Sequence, residues 1–212
     1  MREPRSGRAD SATAGRILDA ALDSFATRGY EATSLDALAK GLGLRKQSIL
    51  YWFPSKEELL GAVIDRSAGQ LAAALESALA VAGLGWARVE AVVRSVFRVA
   101  AARPELLGLV REVSRLGPPA ATRLIADLEP LIVRASEFLA AEMEAGTMRS
   151  HDPRLVLLTA YSAVIGMVTE VELLRALGEE PTPRSLVKRR AELLNLLRSA
   201  LVGDAGSPGE GQ

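Results

Sequence analysis

From about Thr13 to Val202 the apolar residues of this chain recur at the three-to-four-residue spacing of a helix face. No segment shows the β-branched alternation that a half-buried strand requires. Ala, Leu, Arg and Glu dominate, and all four favour helix. Gly/Pro clusters supply the punctuation: Gly29, Gly41 to Gly43, Pro54, Gly83 to Gly85, Pro104, Gly117 to Pro119, Gly146 to Pro153 and Gly178 to Pro183. An all-α chain of about nine helices follows. They are expected over roughly 13–28, after Ser34, over 45–52, from Pro54 to about Ala82, then over 86–102, 104–116, 119–146, 153–177 and 183–202. Residues 1–12 and 203–212 (GDAGSPGEGQ) read as a disordered arm and tail.

Composition removes most enzyme chemistries. The absence of cysteine excludes disulfides, thiolate metal sites and thiol nucleophiles. His151 is the only histidine, set in an expected loop beside Asp152-Pro153, so imidazole metal sites and Ser-His relays lack material. Glu170 with Glu172, and Glu142 with Glu144, stand two apart on expected helices, so neither pair converges on one substrate atom. Gly41-Leu42-Gly43 reads as a turn and not a phosphate cradle. No cofactor, no metal and no enzymatic activity are expected. The polar N-terminus carries no secretory pattern and every long apolar run is broken by charge, so no membrane partner and a cytoplasmic location are expected. The chain is formally neutral, but residues 1–56 carry +3 and the remainder −3. That sign suits a nucleic-acid module at the front, although chance variation would also produce it.

Two short helices around Gly43, within about twenty residues, have the form of a helix-turn-helix. Leu38, Leu42, Leu44 and Ile49 can fix the angle between them. Arg45, Lys46, Gln47 and Tyr51 stay on the polar face of the second helix, where they would reach phosphates or base edges. An ordinary helical hairpin with a solvated basic face fits the same periodicity.

The residues themselves go further. TSLDALAKGLGLRKQSILYWFPSKEELL, Thr33 to Leu60, closely resembles the DNA-binding signature of TetR-type regulators, and ILDAALDSFATRGYEATS before it resembles that family's first helix. The resemblance runs over about fifty residues and rests on Phe25, Gly29-Tyr30, Thr33, Ala39, Gly43, Phe53 and Ser55-Lys56-Glu57. It implies an N-terminal three-helix DNA-binding domain over 13–58 and a larger helical ligand-binding and dimerisation domain over 59–202. It also implies that Thr33 and Lys56 hold phosphates and that Arg45, Lys46, Gln47 and Ser48 lie nearest the bases, with Phe53 in the core. The tyrosine usual in the family is replaced by Leu50, which leaves the phosphate contact there to Tyr51 or to the Trp52 indole.

The rest of the chain resembles the family in length and helical content only. Arg154 to Leu177 is apolar nearly all round and so must be covered on several sides. With the leucine-rich last helix it suggests an isologous four-helix interface of a homodimer, through Leu158, Ser162, Ile165, Leu173, Leu194 and Leu197; monomer core is the alternative. Trp86, Phe97, Leu107, Val110, Phe138, Tyr161, Met167 and Glu170 are candidate pocket residues, each equally readable as core or, for Glu170, as a partner for an arginine. The resemblance makes double-stranded operator DNA and a small-molecule effector of unknown identity the expected partners. The expected function is that of a repressor which binds a palindromic operator as a dimer and is released by that effector.

Overall fold

A computed structural model describes residues 6–202, with side chains from Ala12 onward. These residues form ten helices: α1 (Ser6–Arg28), α2 (Leu35–Leu42), α3 (Lys46–Trp52), α4 (Lys56–Ala80), α5 (Trp86–Ala102), α6 (Pro104–Leu116), α7 (Ala120–Glu144), α8 (Pro153–Thr169), α9 (Val171–Ala176) and α10 (Pro183–Leu201). Helix α1 already begins at Ser6, inside the segment read as an arm. Residues 1–5 and the expected tail 203–212 lie outside the described residues.

One expected helix is two. The 153–177 segment breaks at Glu170, whose φ of −86° and ψ of 65° are not helical. Arg189 of α10, buried, donates from its guanidinium to the Met167 carbonyl. That carbonyl lies in the last turn of α8, where acceptors lose their intrahelical partners. Periodicity could not report the break, because apolar residues continue on both sides of it.

The chain divides into two units. The first holds the described residues up to Leu71 together with Arg103–Leu128; the second holds Ala72–Ala102 and the chain from Glu129 onward. Helix α4 thus passes from one unit to the other after Leu71, and α7 after Leu128. In the first unit, Ile17, Ala21 and Phe25 of α1 join Leu38, Ile49, Leu59, Val63, Leu109 and Val113 in the core. Helix α6 packs closely on α1 because both are narrow where they meet. A Cβ on Gly108 would stand 3.0 Å from the Ala26 Cβ and 3.2 Å from its carbonyl oxygen. In the second unit α10 packs on α5 and α8, burying Val93, Phe97, Leu193, Leu197 and Leu201. His151 closes the end of this unit, its Nε2 3.2 Å from the Ala200 carbonyl oxygen.

Candidate functional site

Local chemistry shapes the helix-turn-helix. Ser34 caps α2, its Oγ accepting the Ala37 N–H at 3.1 Å. Gly43 ends α2 in the left-handed region (φ 67°, ψ 29°), where a side chain is strained. The Leu44 N–H then reaches the Ala39 carbonyl at 2.8 Å, so the chain turns within two residues and enters α3. Ile49 is fully buried and pins α3 from beneath. Arg45, Gln47 and Tyr51 are exposed, while Ser48, Leu50, Trp52 and Phe53 are half-buried. Tyr51, 79% exposed, stands edge-on to Trp52 with ring centroids 5.3 Å apart. Lys46 is half-buried and its Nζ lies 2.9 Å from an Asp36 carboxylate oxygen. Such a surface pair is worth about 0–1 kcal/mol, so a phosphate can displace the aspartate at small cost.

Thr33 does not meet its expectation. Its side chain is 4% exposed, and its hydroxyl donates to the Gly29 carbonyl at 2.9 Å while sharing a 2.8 Å hydrogen bond with Ser24 Oγ. It closes the corner between α1 and α2, its hydroxyl engaged by those two partners. Lys56, at the start of α4, rests its Nζ 4.1 Å above the Tyr30 ring. The Tyr30 hydroxyl donates to Glu57 at 3.1 Å, and burial followed by that bond pushes its pKa up to about 12. Ser55 Oγ accepts the Glu58 N–H at 3.1 Å and caps α4. Backbone N–H donation at this helix start, then the Ser55 hydroxyl, then the Tyr30 hydroxyl hold the exposed Glu57 carboxyl below its usual range.

Sequence reading missed Glu112. It is buried in α6, and its Oε1 accepts the Tyr30 N–H at 2.7 Å. Arg115 donates to the same carboxylate from Nε and Nη2, each at 2.8 Å. Those bonds outweigh desolvation and hold the Glu112 carboxyl below its ordinary value. Gly29, at φ 89°, leaves room for it, since a Cβ there would come within 3.2 Å of Oε1. The available signal was a lone carboxylate three and four residues after Leu109 and Gly108, on the otherwise apolar buried face of α6.

The second unit contains a cavity of about 480 Å³ between α4, α5, α7, α8 and α10. Its walls are apolar, including Leu79, Val89, Val92, Leu131, Phe138, Val156, Leu157 and Leu197, with Glu76, Arg88 and Arg134 as the charged residues. Of the eight expected pocket residues Phe138 alone lines it. Leu107 and Val110 are core of the first unit, because α6 belongs there. Phe97 is core of the second unit, and Trp86 packs beside the Leu139, Met148 and Leu201 cluster. Tyr161 is 40% exposed, Met167 gives its carbonyl to Arg189, and Glu170 occupies the break after α8. Among the described residues no group of three or more metal-ligating side chains occurs, and no helix is long and apolar enough to cross a membrane.

Residues 17–63 match the family model of bacterial regulatory proteins of the tetR family, a match centred on the helix-turn-helix. The HTH-type transcriptional regulator RutR of Escherichia coli K12 is 29% identical over 174 residues, 75% of each chain. Residues 17–63 are a DNA-binding domain of the tetR family of bacterial regulatory proteins. The chain is a DNA-binding transcriptional regulator. Solved structures share its fold at lower identity. A putative transcriptional regulator of Saccharomonospora viridis in complex with choline is 18% identical, with a TM-score of 0.71 over 92% of this chain and 100% of that one. AibR in complex with isovaleryl coenzyme A and operator DNA is 18% identical, with a TM-score of 0.70 over 86% of this chain and 96% of that one.

The residues expected at a subunit interface of this regulator divide into two sets. Leu158, Ser162 and Leu173 are exposed and Ile165 is half-buried. Leu194 and Leu197 are each 7% exposed, turned inward on α10, where Leu197 also lines the cavity. Leu196 and Val187 are the exposed apolar residues of that helix instead. Leu155, Tyr161 and Leu177 are likewise exposed apolar side chains of the stretch from α8 to α10.

Proposed function

We propose that this regulator binds a near-palindromic operator as a homodimer, blocks transcription from it, and is released when a small molecule fills the cavity of the second unit. The observation that carries the reading is α3, with Ile49 buried beneath it and Arg45, Gln47 and Tyr51 standing in solvent. Such a helix presents donors and acceptors to a major groove while its opposite face is locked. In this reading Arg45, Lys46, Gln47 and Ser48 face base edges, and Tyr51 and Lys56 hold phosphates. Tyr51 takes over the contact that Leu50 cannot make. One such helix reads too few base pairs, and a two-fold pair spaced by one turn of DNA, about 34–36 Å, solves that. The exposed apolar side chains of α8 to α10, Leu158, Leu173 and Leu196 among them, give the pair a surface on which to form, with Ser162 and Ile165 between them.

The division of labour follows the sequence expectation: residues 13–58 read DNA, and the chain from 59 to 202 senses the ligand and dimerises. AibR, held with both a ligand and operator DNA, supports the pairing of those two partners within this fold. Helix α4 carries Lys56 in the first unit and Glu76, Leu79 and Ala80 of the cavity wall in the second. A ligand that moves its second half therefore acts on a helix that also holds DNA, which is the coupling release requires. Operator DNA places the work in the cytoplasm, and the family relatives are regulators rather than enzymes.

Footprinting of the full chain on genomic fragments tests the reading. A short, near-symmetric protected site is expected, with K46A and Y51A weakening it at unchanged helical content. K56Q should lower the salt slope of binding by about one unit. Uniform coating of DNA, or full affinity in all three variants, overturns it.

A further inference from the structure

We propose that the cavity of the second unit takes an amphipathic carboxylate, its chain among the apolar walls and its head on Arg88; this rests on the reading of that cavity as the effector site. Three charged side chains line the cavity, two arginines and one glutamate. Arg134 and Glu76 cancel, Nη2 standing 2.7 Å from Oε1. One positive charge is left over, and it belongs to Arg88. The Arg88 Nε is buried and has no hydrogen-bond partner. Its guanidinium lies 5.2 Å from the centre of the Phe138 ring, another lining residue. The aromatic face supports the charge from one side and leaves the Nε donor unanswered.

A buried donor on a cation without an acceptor is costly to the folded chain, and an anionic oxygen in its plane removes that cost. The guanidinium fork fits a carboxylate in two-point geometry. A cationic ligand would need an uncompensated acid, and Glu76 is already engaged by Arg134. A wholly apolar ligand would fill the walls and leave the Arg88 Nε as it stands. The volume, about 480 Å³, lies within the roughly 300–1,000 Å³ range of small-molecule sites and suits a medium-length chain.

Calorimetry of the full chain with dodecanoate, dodecanol and dodecyltrimethylammonium tests the assignment. Dodecanoate should bind roughly tenfold to a hundredfold more tightly than dodecanol, as a charge-assisted hydrogen bond predicts. R88M should remove that preference, E76Q combined with R134Q, which removes the cancelling pair together, should keep it, and L157W, which fills the cavity, should abolish binding of both. The comparison on the unaltered chain stands even if a variant fails to fold. Equal binding of dodecanoate and dodecanol, tightest binding of the ammonium compound, or a preference that survives R88M overturns the proposal. Operator affinity measured in the same samples separates this from the effector reading. Dodecanoate held through Arg88 without effect on operator binding supports the site and refutes the cavity's role in release. Release by an uncharged or cationic compound that outcompetes dodecanoate refutes the anion and supports the role.

Discussion

Replacing Glu112 by alanine removes the carboxylate through which α6 holds the corner between α1 and α2. The loss has two parts. The Arg115 pair is half in solvent, with the arginine side chain 60% exposed, so its share is about 0–1 kcal/mol. The Tyr30 N–H, donating to Oε1 at 2.7 Å, makes a charge-assisted bond worth about 1.5–3 kcal/mol. Together they give a loss of about 1.5–4 kcal/mol, or roughly 3–16 °C in Tm for a chain of this length. The pH dependence is the sharper test. The bonds from Arg115, then the Tyr30 N–H, hold the folded carboxyl below its unfolded value near 4.5. The stability it contributes is therefore complete above that value and is lost as pH falls through the lower folded pKa. Thermal unfolding followed by circular dichroism should show a constant gap between wild type and E112A from neutral pH down to about 4.5, narrowing below it as the carboxylate is protonated. E112Q keeps an acceptor for Tyr30 and should lose less, with no acid-dependent gap of its own from this site. An unaltered Tm for E112A at neutral pH, or a gap that does not narrow in acid, would refute the reasoning.

T33V strands the Ser24 hydroxyl and the Gly29 carbonyl, so urea unfolding should show a loss of about 1–3 kcal/mol while the salt slope of operator binding stays unchanged; a fall in that slope at full stability would return Thr33 to the phosphates. L158E combined with L196E should shift sedimentation toward monomer and weaken operator binding at unchanged ellipticity, whereas L197E, at a position 7% exposed, should unfold the second unit; a double variant that stays dimeric would remove α8 and α10 from the interface.

The helix-turn-helix and every helix but the one broken at Glu170 were legible in the amino-acid sequence, because their signals are local. Ser34 and Ser55 cap their helices, Gly43 takes the left-handed conformation, and Pro104, Pro153 and Pro183 open theirs, all within a few residues of the feature they control. Only the tertiary structure decided what each face meets. Thr33 and Glu112 are polar residues whose partners lie across a packed corner, 82 residues apart in the case of Glu112 and Tyr30. Leu107 and Val110 went to the first unit because α6 packs on α1, so neither lines the cavity of the second. On α10 leucines stand on several sides, and periodicity names a face only when one side is polar; the packing against α5 and α8 turned Leu194 and Leu197 inward and left Leu196 outside. The cavity is set by five helices drawn from separate parts of the chain, and its one unanswered charge emerged only when Glu76 met Arg134 and left Arg88 alone.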